Sequence, residues 1–174
     1  MKILKNNLTK KVRTKLKVGE EILYSGVLYT ARDQAHKRLV ESLRKGRKLP
    51  IELKDIIIYY TGPTPSKNKS KVGSAGPTTS SRMDKFTPVL LKAGVAGLIG
   101  KGDRSSSVIG AIKKNKALYF LAIGGAGAYL GKRIKSAKVV AYRELGAEAI
   151  YRLEVEDFPL IVGIDTVGRN IYTR

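Results

Sequence analysis

An apolar, β-branched run, Asp55-Ile56-Ile57-Ile58-Tyr59-Tyr60, passes directly into residues 61–84, TGPTPSKNKSKVGSAGPTTSSRMD. The run has the composition of a buried strand. Residues 61–84 cannot prolong that strand, because two Gly-Pro-Thr triplets, Gly62-Pro63-Thr64 and Gly76-Pro77-Thr78, bend the backbone and fix φ. Ser80 or Ser81 can cap a helix over residues 82–93, and Gly94 can stop it. The segment is therefore a strand-to-helix crossing. Its glycines, hydroxyls and single Arg82 suit it to aim N–H groups, hydroxyls and a guanidinium at one small acidic ligand. The lysine-rich part, residues 67–71, acquires no such role and reads as a lid or a subunit contact.

The same alternation of strand and helix recurs along the chain. Residues 22–29 read as a buried strand in which Gly26 marks a bulge. Ala31, Ala35, Leu39 and Leu43 then recur every four residues and predict an amphipathic helix over 31–45. Arg32 thus falls where strand meets helix, a position that commonly faces a ligand crevice in α/β sheets. Residues 95–99 predict a short buried strand with Lys101 at its exit, and Ser105 or Ser106 starts a helix to about Asn115. Residues 117–123 predict another strand, ending at Gly124-Gly125-Ala126-Gly127. Residues 137–142, 149–155, 160–165 and 169–172 are strand-rich, with Thr166-Val167-Gly168 turning a final hairpin. Residues 10–17, KKVRTKLK, alternate charge with smaller side chains, as a strand with one solvated basic face would. There is no internal repeat. With 174 residues, the expectation is one mixed α/β domain, its mixed sheet flanked by helices.

Charge and missing residue types narrow the chemistry. The net charge is +20, and residues 1–50 carry 14 basic against 4 acidic side chains while residues 51–174 carry 20 against 10. Such a balance points to nucleic acid, an acidic partner protein or an anionic substrate. The N-terminal lysines have no aromatic residues interleaved to stack on bases, so they read as a solubilising surface, and a nucleic-acid-binding module stays as the alternative from another functional class. There is no cysteine, hence no disulfide, no thiolate-held cluster and no Cys nucleophile; any iron-sulfur chemistry must come from another chain. The single histidine, His36, rules out a His-rich metal site and reads as an ordinary polar position on a helix. The first residues lack the apolar core of a signal peptide, and no apolar run is long enough to span a bilayer, so a cytoplasmic protein is expected.

Two glycine motifs fail as nucleotide sites. A phosphate loop ending at Gly100-Lys101 would need glycine at Val95 and a hydroxyl at Gly102. Gly125, Gly127 and Gly131 read as tight strand–helix packing rather than a dinucleotide fingerprint. A third set differs in kind. Arg32, Thr78, Arg82 and Lys101 each lie at a strand exit and together offer three positive charges with a hydroxyl among them. That composition suits a dicarboxylate, since a guanidinium grips a carboxylate through two parallel hydrogen bonds and an ammonium can neutralise a second charge.

Residues 73–84, GSAGPTTSSRMD, resemble the signature loop of class I fumarate hydratases and the related L-tartrate dehydratases, in their β subunit or C-terminal domain. Tyr29-Thr30-Ala31-Arg32-Asp33, Tyr59-Tyr60-Thr61-Gly62-Pro63-Thr64, Gly100-Lys101-Gly102, Ile123-Gly124-Gly125-Ala126 and Glu144-Leu145-Gly146-Ala147 extend the likeness in order over nearly the whole chain. The resemblance implies a single swivelling β/β/α domain over residues 1–174. It would pair with a larger α subunit, as heterodimer or heterotetramer, whose cysteines hold a four-iron four-sulfur cluster with one open iron acting as Lewis acid. The substrate would be a small dicarboxylate lying between the subunits, (S)-malate and fumarate by preference and L-tartrate as the rival. Thr78 matches the family's threonine near the carbon that loses a proton, and Arg82 its substrate arginine four positions on. Arg32 matches the arginine after the Tyr-Thr-Ala strand end, and Lys101 the lysine of the glycine turn. Alone, the chain is expected to be folded but inactive.

Overall fold

The computed structural model describes residues 1–6, 8–67, 72–123 and 125–173. Residues 68–71 of the lysine-rich segment and Gly124 of the glycine turn lie outside the described residues. Nine strands occur among those described: β1 (Lys2–Lys5), β2 (Glu21–Thr30), β3 (Ile57–Tyr59), β4 (Thr64–Pro65), β5 (Val72–Ser74), β6 (Gly97–Gly100), β7 (Leu118–Leu121), β8 (Ile134–Ala141) and β9 (Ile150–Ile164). The α-helices are α1 (Lys10–Arg13), α2 (Asp33–Arg44), α3 (Thr87–Lys92), α4 (Ser106–Asn115) and α5 (Gly127–Lys132). The protein is thus mixed α/β with flanking helices, but its sheet is not open.

Strands β2, β3, β6 and β7 run parallel in that order, and β9 pairs antiparallel with both β7 and β2. The five close into a barrel. β9 manages this by changing partners along one edge: Ile150 to Val155 pair with β8, whereas Ile161 to Ile164 pair with β7. Its opposite edge follows β2 from Arg152 to Ile161. One long strand therefore replaces the two that sequence predicts at 149–155 and 160–165. Between them Asp157 takes φ 49°. On the facing strand the register shifts between Tyr24 and Gly26, the bulge that the glycine announces.

The core has two layers, set by the alternation of side chains along each strand. Leu28, Tyr59, Leu118, Phe120, Leu153, Phe158 and Val162 fill the barrel interior. Ile58, Tyr60, Leu98 and Tyr119 turn outward and are buried with Ala35 and Leu39 of α2, Leu90 and Leu91 of α3, and Val108 and Ile112 of α4. Strands covered on both faces explain why β3, β6 and β7 read as continuous apolar runs.

The barrel's amino-terminal end is sealed by a segment that sequence assigns to a strand. Residues 10–17 instead form α1, with Thr9 capping the amide of Val12, and a following turn. The alternation misleads because Leu8 and Leu16 pack into the interior cluster while Arg13 is buried among backbone carbonyls. Its guanidinium donates to the carbonyls of Leu8 (2.7 Å) and Lys116 (2.7 Å) and pairs with Asp55 at 3.2 Å. Two further differences are local. The predicted helix over 82–93 breaks into a 3-10 turn, Ser80–Met83, and α3, because Asp84 and Thr87 turn inward to a buried arginine. The predicted strand at 169–172 is a single bridge between Ile164 and Asn170, followed by a 3-10 turn, although the turn at 166–168 is present. Among the described residues no helix is long and apolar enough to cross a membrane.

Arg13→Met would leave two carbonyls without their donor and Asp55 without its partner, which should cost roughly 2–3 kcal/mol. Urea unfolding followed by circular dichroism should show a lower midpoint with an unchanged slope.

Candidate active site

The parallel strands deliver their carboxyl ends to one rim. Thr30 stands beside Tyr59, and Tyr59 beside Ile99, so the exits of β2, β3 and β6 are adjacent. Arg32, two residues beyond β2, is the N-cap position of α2 with extended backbone. Lys101 follows β6 directly and is exposed. Residues 75–84 then fold back across these exits. The Tyr59 hydroxyl donates to the Ala75 carbonyl, the Thr61 hydroxyl to Gly76 O (2.7 Å), the Thr78 amide to Tyr60 O (2.7 Å), and the Ser80 amide to Lys101 O (3.0 Å). Thr79 and Lys101 form a parallel bridge. The loop behaves as a short extra strand laid on the rim, with Thr78 half-buried within it.

Arg82 reaches sideways to the start of α2. Its Nε and Nη2 donate to Asp33 at 3.2 Å and 2.6 Å, a two-pronged grip that leaves Nη1 without a hydrogen-bond partner among the described residues. All four residues picked from sequence thus lie along one rim, and Arg82 and Arg32 are tied together through the neighbouring Asp33. Among the described residues no carboxylate lies within ion-pair distance of Arg32 or Lys101. The Arg32 Nε is buried without a hydrogen-bond partner there.

Two glycines make this packing feasible. A Cβ on Gly62 would stand 2.9 Å from Arg32 Nη1 and 3.3 Å from its Cδ, so the arginine lies across a position that only hydrogen leaves free. A Cβ on Gly100 would collide with Ser80 Oγ and approach Tyr60 Cδ2 to 2.8 Å, so the loop can touch β6 only there. The Gly127–Gly131 stretch packs in the same way. It forms α5, which sequence reading leaves out, and Cβ atoms on Gly127 and Gly131 would meet Ser74, Gly76 N (3.1 Å) and Gly73 O (3.0 Å). The close packing expected of these glycines is against the loop strand β5 and residues after it.

Comparison with known proteins gives this rim its relatives. A family described as Fumarase C-terminus matches residues 2–174. The chain belongs to the fumarase C-terminal domain family. It is 40% identical over 173 residues to the putative L(+)-tartrate dehydratase subunit beta of Methanocaldococcus jannaschii, covering 96% of this chain and 89% of that protein. It is 38% identical to fumarate hydratase 2 of Leishmania major over 169 residues, and 40% identical to the aerobic class I fumarate hydratase of Escherichia coli over 159. Those matches cover 94% and 90% of this chain but only 30% and 29% of the relatives, so the chain spans about a third of the fumarate hydratases it matches.

In this fumarase-type domain the iron-sulfur cluster implied by the resemblance finds no ligand set. The chain has no cysteine, and among the described residues no group of three or more His, Asp or Glu side chains could hold a metal. What the rim offers is cationic and hydroxylic: Arg32, Arg82, Lys101 and the Thr78 hydroxyl.

Sequence reading missed two features. Asp33 was visible only as a first-turn residue of α2, not as the partner of Arg82. His36, expected at an ordinary polar position, is fully buried on the inner face of α2. Its Nδ1 lies 2.8 Å from Arg32 O, and its ring meets Tyr60 edge-on at 5.3 Å. Burial lowers its pKa to about 4, assisted by Arg104 and opposed by the Arg32 carbonyl and Asp33. The unfolded chain, with an ordinary histidine near 6.5, therefore binds the extra proton between pH 6.5 and 4, and stability falls as pH falls through that window. The contribution of this group is on the order of 3 kcal/mol. His36→Gln should flatten that part of the profile of unfolding free energy against pH, measured by denaturant titration from pH 7 to 4.

Proposed function

We propose that this chain is the β subunit of a two-subunit hydro-lyase that reversibly removes water from a hydroxy dicarboxylate, with (S)-malate and fumarate as the pair. The observation that carries the proposal is the rim itself: three cationic side chains and a hydroxyl on one loop-covered edge, two of the cations without a carboxylate partner among the described residues. The extent of the match supports the assembly. This chain accounts for 89% of a separate β subunit, and for about a third of relatives in which a longer chain carries the rest.

In the proposed reaction Arg32 and Arg82 hold the two substrate carboxylates through paired hydrogen bonds. Thr78 Oγ1 takes the proton from C3, and Lys101 stabilises the negative charge that spreads onto the adjacent carboxylate as the C–H bond weakens. A threonine hydroxyl is a weak base, so it must be held as alkoxide or backed by a relay; the three neighbouring cations act in that direction. The four-iron four-sulfur cluster is assigned to the α subunit, where it would supply the Lewis acid for the hydroxyl that leaves C2 and, with the proton from C3, departs as water; the domain swivels as one unit against that subunit in the cytoplasm. L-Tartrate is the second reading, favoured by the name and the near-equal length of the M. jannaschii relative.

Anaerobic assay of the reconstituted pair on (S)-malate and L-tartrate decides between the substrates. Thr78→Ala should lower kcat by roughly 10²–10⁴-fold with a small change in KM. Arg82→Ala should instead raise KM by about 10–100-fold, the loss of one charge-assisted pair. Near-normal turnover in Thr78→Ala would remove the base assignment.

A further inference from the structure

Beneath the rim lies a charge that the proposed chemistry does not use. Arg104 follows β6 by four residues, and its side chain is completely buried. Its Nε donates to Asp84 Oδ1 at 2.7 Å, and its Nη2 to Thr87 Oγ1 at 2.8 Å and the Tyr60 hydroxyl at 3.2 Å. The guanidinium carbon lies 5.3 Å from the Tyr60 ring centre and 4.9 Å from that of Tyr119. Burial disfavours its charge, but Tyr60, Asp84 and Tyr119 outweigh burial and keep it protonated.

Each of these contacts leads to the loop that carries Thr78 and Arg82. Asp84 stands two residues after Arg82, and its second oxygen accepts the Ser105 amide at 2.8 Å. The Tyr119 hydroxyl donates to Gly102 O and accepts from the Ser80 hydroxyl, each at 2.8 Å. Tyr60 accepts the Thr78 amide on its carbonyl while meeting Arg104 with its hydroxyl. Thr87 in turn donates to Met83 O at 2.9 Å, one residue beyond Arg82. His36, packed on the same Tyr60, completes the underlayer. Its Nδ1 faces the Arg32 carbonyl and so carries the proton, which leaves Nε2 an acceptor, and that atom and Arg104 Nη1 are both buried without partners among the described residues.

A buried ion pair contributes little net stability compared with an apolar replacement of the same shape. What an arginine supplies that an apolar side chain cannot is several directed donors from one rigid plane. We propose that Arg104 is a positioning residue that fixes residues 78–84 against the ends of β3 and β6, so that Thr78 and Arg82 keep their places on the rim. The catalytic consequence rests on the hydro-lyase reading; the structural hold does not.

The test uses Arg104→Lys, which keeps the charge and the pairing with Asp84 but loses the fork to Thr87 and Tyr60. In the full chain, hydrogen–deuterium exchange should speed up at least tenfold at the Thr78 and Ser80 amides and stay unchanged in β2 and β9. In the reconstituted pair, kcat/KM for the active substrate should fall about 10–100-fold, with KM raised, at unchanged content of folded complex. Should Arg104→Lys not fold, Thr87→Val removes one acceptor of the same Nη2 and should give the same local exchange at smaller amplitude. Unchanged exchange in the loop, or acceleration spread evenly over the barrel, overturns the proposal, as does full activity in a variant whose loop exchanges faster. A wild-type pair inactive on both substrates, with the loop still loosened by the variant, refutes the hydro-lyase reading and leaves the hold of Arg104 established.

Discussion

The antiparallel pairing of β9 with β2 is the constraint on which the rest of the molecule depends. Without it β2, β3, β6 and β7 would form an open parallel ribbon, exposed on the face that now holds Tyr59, Phe120 and Phe158. Closure turns that face into an interior and gives the barrel two distinct ends. Parallel strands send their carboxyl ends to the same end, so connections leaving β2, β3 and β6 must emerge side by side. Arg32, residues 75–84 and Lys101 are those connections. The amino-terminal end, filled by Leu8, Leu16 and the Arg13 guanidinium, is left with structure alone.

The cations at and beneath the rim differ in how they are partnered. Arg82 is neutralised by Asp33, and Arg104 by Asp84 and the faces of two tyrosines, whereas Arg32 and Lys101 have no carboxylate near them among the described residues. The buried and exposed cations therefore serve different ends. Arg104, enclosed by its partners, locates the backbone, while Arg32, Lys101 and the outward edge of Arg82 leave a field into which an anion can bind. Other cations, such as Lys2, Lys45 and Lys135, sit half-exposed in surface pairs with Glu20, Glu41 and Glu156 and contribute little to either.

The alternation of strand and helix, the bulge at Gly26, the amphipathic α2 and the serine N-cap of α4 are legible in sequence because each is a local pattern with a local cause. The adjacency of the strand exits that carry Arg32 and Lys101 follows from the same counting, since parallel exits coincide. The failures share another cause. α1 reads as a strand because Arg13 is buried by contacts to residues 8, 55 and 116, distances along the chain that no periodicity records. The continuous helix over 82–93 is lost to Asp84 and Thr87 turning toward Arg104, and nothing local separates that arginine from the chain's other cations. The closure of the sheet rests on β9 pairing with strands some 40 to 140 residues earlier. Likewise His36 is buried because Tyr60 and Phe86 arrive from other elements to cover it.

The rim also bears on how a threonine could act as the proposed base. Thr78 is only half-buried, Arg82 and Lys101 are exposed, and water at such an edge screens each charge to about a kcal/mol at contact distance. At that strength three cations shift a hydroxyl far too little to ionise it near neutral pH. The same charges act several times more strongly once water is displaced and the local dielectric falls. The backbone beneath is already fixed, with the Thr78 and Ser80 amides satisfied by Tyr60 and Lys101 carbonyls, so covering the rim needs no rearrangement of this chain to take effect. On the proposed reading, a rim built from below and left open above polarises a hydroxyl weakly in water and strongly under a second surface, a physical reason for the proposed site to be completed by a partner.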